Sequence, residues 1–564
     1  MSGRSESGRR TAPADQNEPA DQNEPADRKD PVSRVTPVGR VVSVARAGGM
    51  FARSGLWRPG PPLKVARQLG ALHRWGTLLG GTLASAAARD PGAVAIVDDA
   101  GELTYGEVDA RTDRLAAALG DSGAAAAPRV AVLCRNHRGM VEALVACSKR
   151  GSDLVLLNTG MSTEQLVTVL RQQEVEVVIA DAEFTGFIAA VPKTVRVITA
   201  GGTASELENL IVTSPAAPIE PPARAGRTIV LSSGTTGRPK GADRHSRPGL
   251  SPLTSILSRI PYRVHERMFI EAPLFHTWGY AMLQVAISLR ATIILRTRFD
   301  PEQTLRTIDL TRTSALVAVP VMLQRVLDVP EAVRRKYDTS SMRIAAVSGS
   351  ALPATLATAF MDEFGDVLYN LYGSTEASWV TIATPADLRA CPDTAGTPPP
   401  GTRVAVLDEA GDPVPPGTTG RIFAANELLF AGYTSGDAKE MRDGLMSLGD
   451  VGHLDDRGRL FVHGRDDDMI VSGGENVFPG AIEEVLEKLP QVREVAVVGV
   501  PDEEFGQRAA AFVVLREGET LDADTVRTHV RDHLARFAVP RDVHFLEALP
   551  RNPTGKVLRR ALPT

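Results

Sequence analysis

The chain has 564 residues, 43% hydrophobic and 23% charged, which supplies apolar side chains for more than one packed core. Three scattered cysteines, Cys134, Cys147 and Cys391, exclude a disulfide framework or a thiolate metal site, and no run reaches the ~20 apolar residues of a spanning helix. The net charge is −5 although residues 31–89 hold nine Lys/Arg and no Asp or Glu, so the remainder is net acidic and no nucleic-acid partner is expected.

Residues 1–30 repeat Pro-Ala-Asp-Gln-Asn-Glu from Pro13 and again from Pro19, with hardly any apolar side chains, and are read as a disordered tail. The start is polar, without the apolar core of a signal peptide, so a cytoplasmic location is expected. Residues 31–89 form a basic amphipathic leader. Val65, Leu69, Leu72 and Leu79 share one helical face, with Lys64, Arg67 and Arg74 roughly opposite. Two readings stay open here: peripheral contact with an anionic membrane, or a helix packed on its own domain.

From residue 90 to 466 short apolar runs alternate with helical patterns. Val94–Val97 reads as a strand, and Thr104 is placed to cap a helix through Val108, Leu115 and Leu119. Runs at 129–133, 153–157, 176–180, 196–199, 228–232, 291–295, 315–319, 343–347 and 366–369 continue the pattern. An α/β fold of mostly parallel, helix-covered sheets is expected. Gly- and Pro-punctuated short strands over 397–462 predict a β-rich subdomain, and 467–564 predicts a compact α+β domain.

Two motifs carry chemistry. Ser232-Ser233-Gly234-Thr235-Thr236-Gly237-Arg238-Pro239-Lys240-Gly241 follows a strand. Its glycines permit close backbone approach, its hydroxyls donate, and Lys240 adds positive charge, as a phosphate-binding loop requires. Its spacing is not that of a Walker loop. Tyr372-Gly373-Ser374-Thr375-Glu376 offers a hydroxyl and a carboxylate on one turn, and Glu376 suits Mg²⁺, a hard cation satisfied by one carboxylate with phosphate and water oxygens.

Together these motifs resemble the adenylate-forming superfamily of acyl-CoA synthetases, luciferases and peptide-synthetase adenylation domains. Pro273 to Gly279, Gly349 to Leu352, Gly449 to Gly452, Gly464 to Ile470 and Asn552 to Lys556 match further family motifs in order, and the resemblance covers about residues 80–564. It implies a large N-terminal AMP-binding domain and a mobile C-terminal lid, with Asp467 as the hinge. It also implies ATP, Mg²⁺ and coenzyme A as cofactors and co-substrates, and a small-molecule carboxylic acid as partner. A homodimer is compatible with it. Gly349, Ser350 and Ala351 would lie against adenine with Tyr372 on the other face, Asp450 would hold the ribose, and Arg465 would contact ribose or phosphate. Gly373 and Thr375 complete the nucleotide set.

Lys556, Glu376, Thr235 and His276 are the expected catalytic residues. His276, Trp278 and Gly279 would border the acyl pocket, with Trp278 either a gate or core. Gly473, Gly474 and Glu475 would line the pantetheine tunnel. The implied reaction is acyl-AMP formation followed by transfer to coenzyme A. A medium- or long-chain fatty acid is the expected substrate, against a small or aromatic acid, or an acyl-AMP ligase loading a carrier protein. The chain departs from the family at Leu448, Arg421, Ala538 and the polar run Ala242-Asp243-Arg244-His245.

Overall fold

Short apolar strands buried on both faces pair in parallel when helices cover the sheet, and the computed structural model is organised in this way. It describes residues 48–58, 60–120, 127–215, 219–233, 239–244, 251–472, 475–502, 506–552 and 555–563. A seven-stranded sheet runs from Arg196–Ala200 through Val177–Asp181, Val130–Leu133 and Leu154–Leu156 to β1 (Thr228–Ser233). These five are parallel, and the sheet ends in antiparallel β2 (Pro239–Arg244) and Gly432–Tyr433.

An eight-stranded sheet has six parallel strands in its middle. Among them β3 (Arg267–Ile270), β4 (Ala315–Ala318), β5 (Ile344–Val347) and β6 (Leu368–Ser374) lie side by side, and Ser378–Ala383 closes that edge as a hairpin with β6. A third, five-stranded antiparallel sheet is built around β7 (Leu445–Leu454), which pairs with β8 (Leu460–Arg465). The last sheet, within 470–546, carries the helices Pro479–Glu487 and Ala523–His533 and has its own apolar core.

The basic helix predicted in the leader is α1 (Pro62–Trp75), which buries none of its residues. Lys64 pairs with Asp90 at 3.3 Å and Arg74 with Glu220 at 3.0 Å, so two of its cations face their own body. The end of the leader differs from the expectation. Helix α2 (Leu79–Arg89) is buried in the main core through Leu79 and Leu83. Its small residues explain this: a Cβ on Gly81 would lie 2.3 Å from the Gly76 carbonyl oxygen. No helix among the described residues is long and apolar enough to cross a membrane.

Candidate active site

Ligands of open parallel sheets gather beyond the carboxyl ends of the strands. Here β3, β4, β5 and β6 all end on one side. Just past β5, Gly349 has φ +96°, a left-handed conformation that favours glycine, and Gly349 and Ala351 are exposed. On the neighbouring strand, Tyr372 donates its hydroxyl to Asp450 Oδ2 at 2.5 Å. Asp450 on β7 faces Arg465 on β8 in direct cross-strand register, with Arg465 Nη1 3.4 Å from Asp450 Oδ1. Burial raises the Asp450 pKa, while Tyr372, Arg465 and Lys556 oppose the rise. Three residues expected at the nucleotide therefore converge, and Tyr372 is a donor to Asp450 as well as an aromatic face. Gly373 is required by the fold: a Cβ there would lie 1.7 Å from the Ser378 carbonyl oxygen.

The strand expected before the phosphate loop is β1, which pairs with β2 as an antiparallel hairpin, in register from Thr228 opposite Arg244 to Ser233 opposite Pro239. Gly234, Thr235, Thr236 and Gly237 lie outside the described residues, as do Gly473, Gly474 and the side chains of Ser232, Ser233 and Glu475. Lys240 Nζ is 2.9 Å from Asp437 Oδ2 and lies over the Tyr433 ring. Glu376 is buried, and its Oε1 accepts the Tyr433 hydroxyl at 2.6 Å. Among the described residues, Oε2 has no hydrogen-bond partner. A buried carboxylate with one oxygen held and one left over fits a divalent cation that takes its remaining ligands from phosphate and water.

Tyr433 and Asp437, which anchor Glu376 and Lys240, were not legible as site residues. They lie in a short segment with no periodicity, and only the fold brings Tyr433 to a carboxylate 57 positions away. Arg244 was legible only as a departure from the family pattern.

His276 caps α3 (Thr277–Ser288) without a side-chain cap bond, and its Nε2 is buried with no partner. Burial lowers its pKa to about 4, so it is a neutral imidazole near pH 7. Trp278 is held in the core, its Nε1 donating to the Ala318 carbonyl oxygen at 3.0 Å at the end of β4, and so forms a fixed wall. Gly279 serves close packing, since a Cβ would meet the Pro273 carbonyl oxygen at 2.3 Å.

Lys556 reaches the site from the C-terminal region. Its amide donates to Asn552 Oδ1 at 2.9 Å, and the preceding Gly555, at φ +80°, rests on α4 (Pro320–Asp328). A Cβ on Gly555 would be 2.2 Å from Val321 Cγ1 and 3.5 Å from Val319 Cγ2. A Cβ on Gly349 would be 3.6 Å from Val319 Cγ1. Val319 thus separates the exposed loop at 349–351 from the lysine loop. Asp467 sits in a short 3₁₀ turn, Asp466–Asp468, and accepts from Arg465 Nε at 3.0 Å.

A separate cluster of Cys134, His137 and Asp181 is no cation site. His137 Nε2 is 2.8 Å from Asp181 Oδ1 and Nδ1 accepts from the Gly139 amide, which leaves neither ring nitrogen for a metal.

The family model for AMP-binding enzymes matches residues 83–434, and the model for the AMP-binding enzyme C-terminal domain matches residues 481–556. The chain is 33% identical over 481 residues to a feruloyl-CoA synthase of an Amycolatopsis species, covering 83% of this chain and 95% of that protein. It is 32% identical over 509 residues to the 3-[(3aS,4S,7aS)-7a-methyl-1,5-dioxo-octahydro-1H-inden-4-yl]propanoyl:CoA ligase of Rhodococcus jostii, covering 84% and 96%. The crystal structure of ATP-bound MatB from Rhodopseudomonas palustris is similar with a TM-score of 0.77 and 28% identity, over 86% of this chain and 98% of that one.

Proposed function

Because the chain belongs to the AMP-binding enzyme family, and is an ATP-dependent, AMP-forming acid–thiol ligase, we propose that it activates a compact acid with a ring near its carboxylate rather than a long-chain fatty acid. The observation that carries this reading is Trp278. Bonded to the end of β4 and packed in the core, it supports a closed pocket and not a gated tunnel. The relatives add support, because feruloyl-CoA synthase and the indenyl-propanoyl ligase are both named for ring-bearing acids. The expected medium- or long-chain fatty acid gives way to the alternative, a small or aromatic acid.

In the first half-reaction a carboxylate oxygen attacks the α-phosphorus of ATP. A P–O bond forms, the bond to pyrophosphate breaks, and acyl-AMP remains. In the second, the coenzyme A thiol loses its proton, sulfur attacks the acyl carbonyl carbon, and the bond to AMP breaks. Lys556 would offset charge on the carboxylate and α-phosphate during the first step. Asp450 would accept the ribose hydroxyls, and Arg465, held by Asp467, would stay beside them. Thr235, Thr236 and Lys240 would bind the β- and γ-phosphates. Glu376 would hold Mg²⁺, which when bound neutralises charge on the leaving pyrophosphate. His276, neutral, would line the acyl entrance as a hydrogen-bonding group. Rotation about Asp467 would then withdraw Lys556 and bring Gly473, Gly474 and Glu475 to the thiol path.

Pyrophosphate release and thioester formation across ferulate, phenylpropanoate, a cycloalkylpropanoate, benzoate and C2–C18 acids test the reading. The ring acids with a short arm should exceed palmitate at least tenfold in kcat/KM. A maximum at C12–C18 would overturn it.

A further inference from the structure

In the polar run after the phosphate loop, Arg244 is held by several hydrogen bonds. At the end of β2 its guanidinium turns away from solvent and spends its donors on three groups. Nη1 donates to the Thr375 carbonyl oxygen at 3.1 Å, while Nη2 donates to Ser378 Oγ and to the Leu428 carbonyl oxygen at 3.1 Å. Thr375 and Ser378 bracket Glu376. The turn needs such a hold, because Ser378 has φ +57°, a left-handed conformation that is unfavourable for a residue with a side chain.

The same strand also reaches Glu376 by a second route. Asp243 and Ala242 pair with Gly432 and Tyr433, and the Tyr433 hydroxyl donates to Glu376 Oε1. Strand β2 begins with Pro239 and Lys240 of the phosphate loop, so its register and the place of the carboxylate are joined. A planar fork holds its donors at fixed, separate positions that suit two backbone carbonyls and a hydroxyl; a lysine's three donors radiate from a single nitrogen.

We propose that Arg244 is a positioning residue that fixes Glu376 relative to the phosphate loop, so that metal and pyrophosphate are bound as one unit. This rests on the reading of Glu376 as the metal-facing carboxylate. Arg244 has no direct contact with the carboxylate in its hydrogen bonds; it acts through the backbone on either side. Its loss should therefore spare the ribose and adenine contacts expected at Asp450, on β7, and at Gly349, past β5, neither of which it touches.

The test uses the full chain and its Arg244→Met, Arg244→Lys and Glu376→Gln variants. Mn²⁺ affinity is read by electron paramagnetic resonance with α,β-methylene-ATP, AMP affinity by calorimetry, and folding by the urea midpoint. Arg244→Met should weaken Mn²⁺ in the nucleotide complex at least tenfold and leave AMP affinity within twofold, with Arg244→Lys in between. Equal loss of AMP and Mn²⁺ binding, or loss of neither, would overturn the assignment. Where Arg244→Met does not fold, Arg244→Lys decides: weaker Mn²⁺ binding at an unchanged urea midpoint supports it, and wild-type Mn²⁺ affinity refutes it. If Glu376→Gln keeps wild-type Mn²⁺ affinity, the reading of Glu376 falls and the inference with it. If Glu376→Gln weakens Mn²⁺ and the Arg244 variants do not, Arg244 alone is refuted.

Discussion

Gly555→Ala probes the docking of the lysine loop without touching Lys556 itself. Gly555 has φ +80°, and a Cβ there would lie 2.2 Å from Val321 Cγ1, far inside van der Waals contact. The left-handed backbone alone costs an alanine roughly 1–2 kcal/mol, and the clash must be relieved by moving the loop or Val321. If that cost falls on the docked pose, its population drops by a factor of about 5–30. Adenylation should fall by the same factor, measured as acid-dependent exchange of labelled pyrophosphate into ATP. Formation of thioester from supplied acyl-AMP and coenzyme A should change less than twofold, because that step does not use the docked lysine. Adding Val321→Ala should restore the part due to the clash. Equal decline of both half-reactions, or no decline in the exchange, would refute the account of the loop.

Glu271 predicts a pH dependence of stability. Burial raises its pKa from 4.5 to about 8 although Thr304 donates to Oε1 at 2.6 Å, and Oε2 has no partner. The folded chain keeps this proton while the unfolded chain releases it, so Glu271's contribution to stability is full below about pH 4.5 and is lost as pH rises to about 8, by on the order of 5 kcal/mol. Glu271→Gln should flatten that slope in urea titrations at pH 5 and pH 8; an unchanged slope contradicts the burial argument. Asp450→Asn removes a charged acceptor worth roughly 1.5–3 kcal/mol. It should weaken AMP binding about 10–100-fold by calorimetry, and unchanged affinity would remove Asp450 from the ribose site. Leu63 and Leu69 on α1 are exposed, and peripheral membrane contact through them predicts that anionic vesicles retain the protein. Leu63→Ser with Leu69→Ser should release it in flotation, and absence of the unaltered chain from the vesicles leaves α1 as a packed helix.

The parallel strands were legible because each is a short apolar run between helices, and Thr104 caps its helix as its spacing predicts, exchanging hydrogen bonds with Glu107. The central strand β3 was not. Its three apolar residues run directly into Glu271-Ala272-Pro273, so no punctuation marks its end. Helix α2 falls in the stretch read as leader because residues 31–89 carry no acidic side chain, yet its small residues let it sink into the core. Motif residues of the nucleotide site were legible one by one. Their anchors were not, because Tyr433 and Glu376 are 57 positions apart and Asp437 and Lys240 are 197 apart, and only the fold brings these side chains together. The sequence leaves Trp278 open as gate or core; the structure buries it in the main core with its Nε1 bonded to the Ala318 carbonyl oxygen, a contact invisible in sequence.

The most direct test of the account is Lys556→Ala assayed in the two half-reactions with the best ring acid. Acid-dependent exchange of pyrophosphate should be lost by at least a hundredfold, while thioester formation from supplied acyl-AMP stays within a few fold of the unaltered enzyme. Loss of both steps together, or retention of exchange, would contradict a lysine that acts only in making the adenylate.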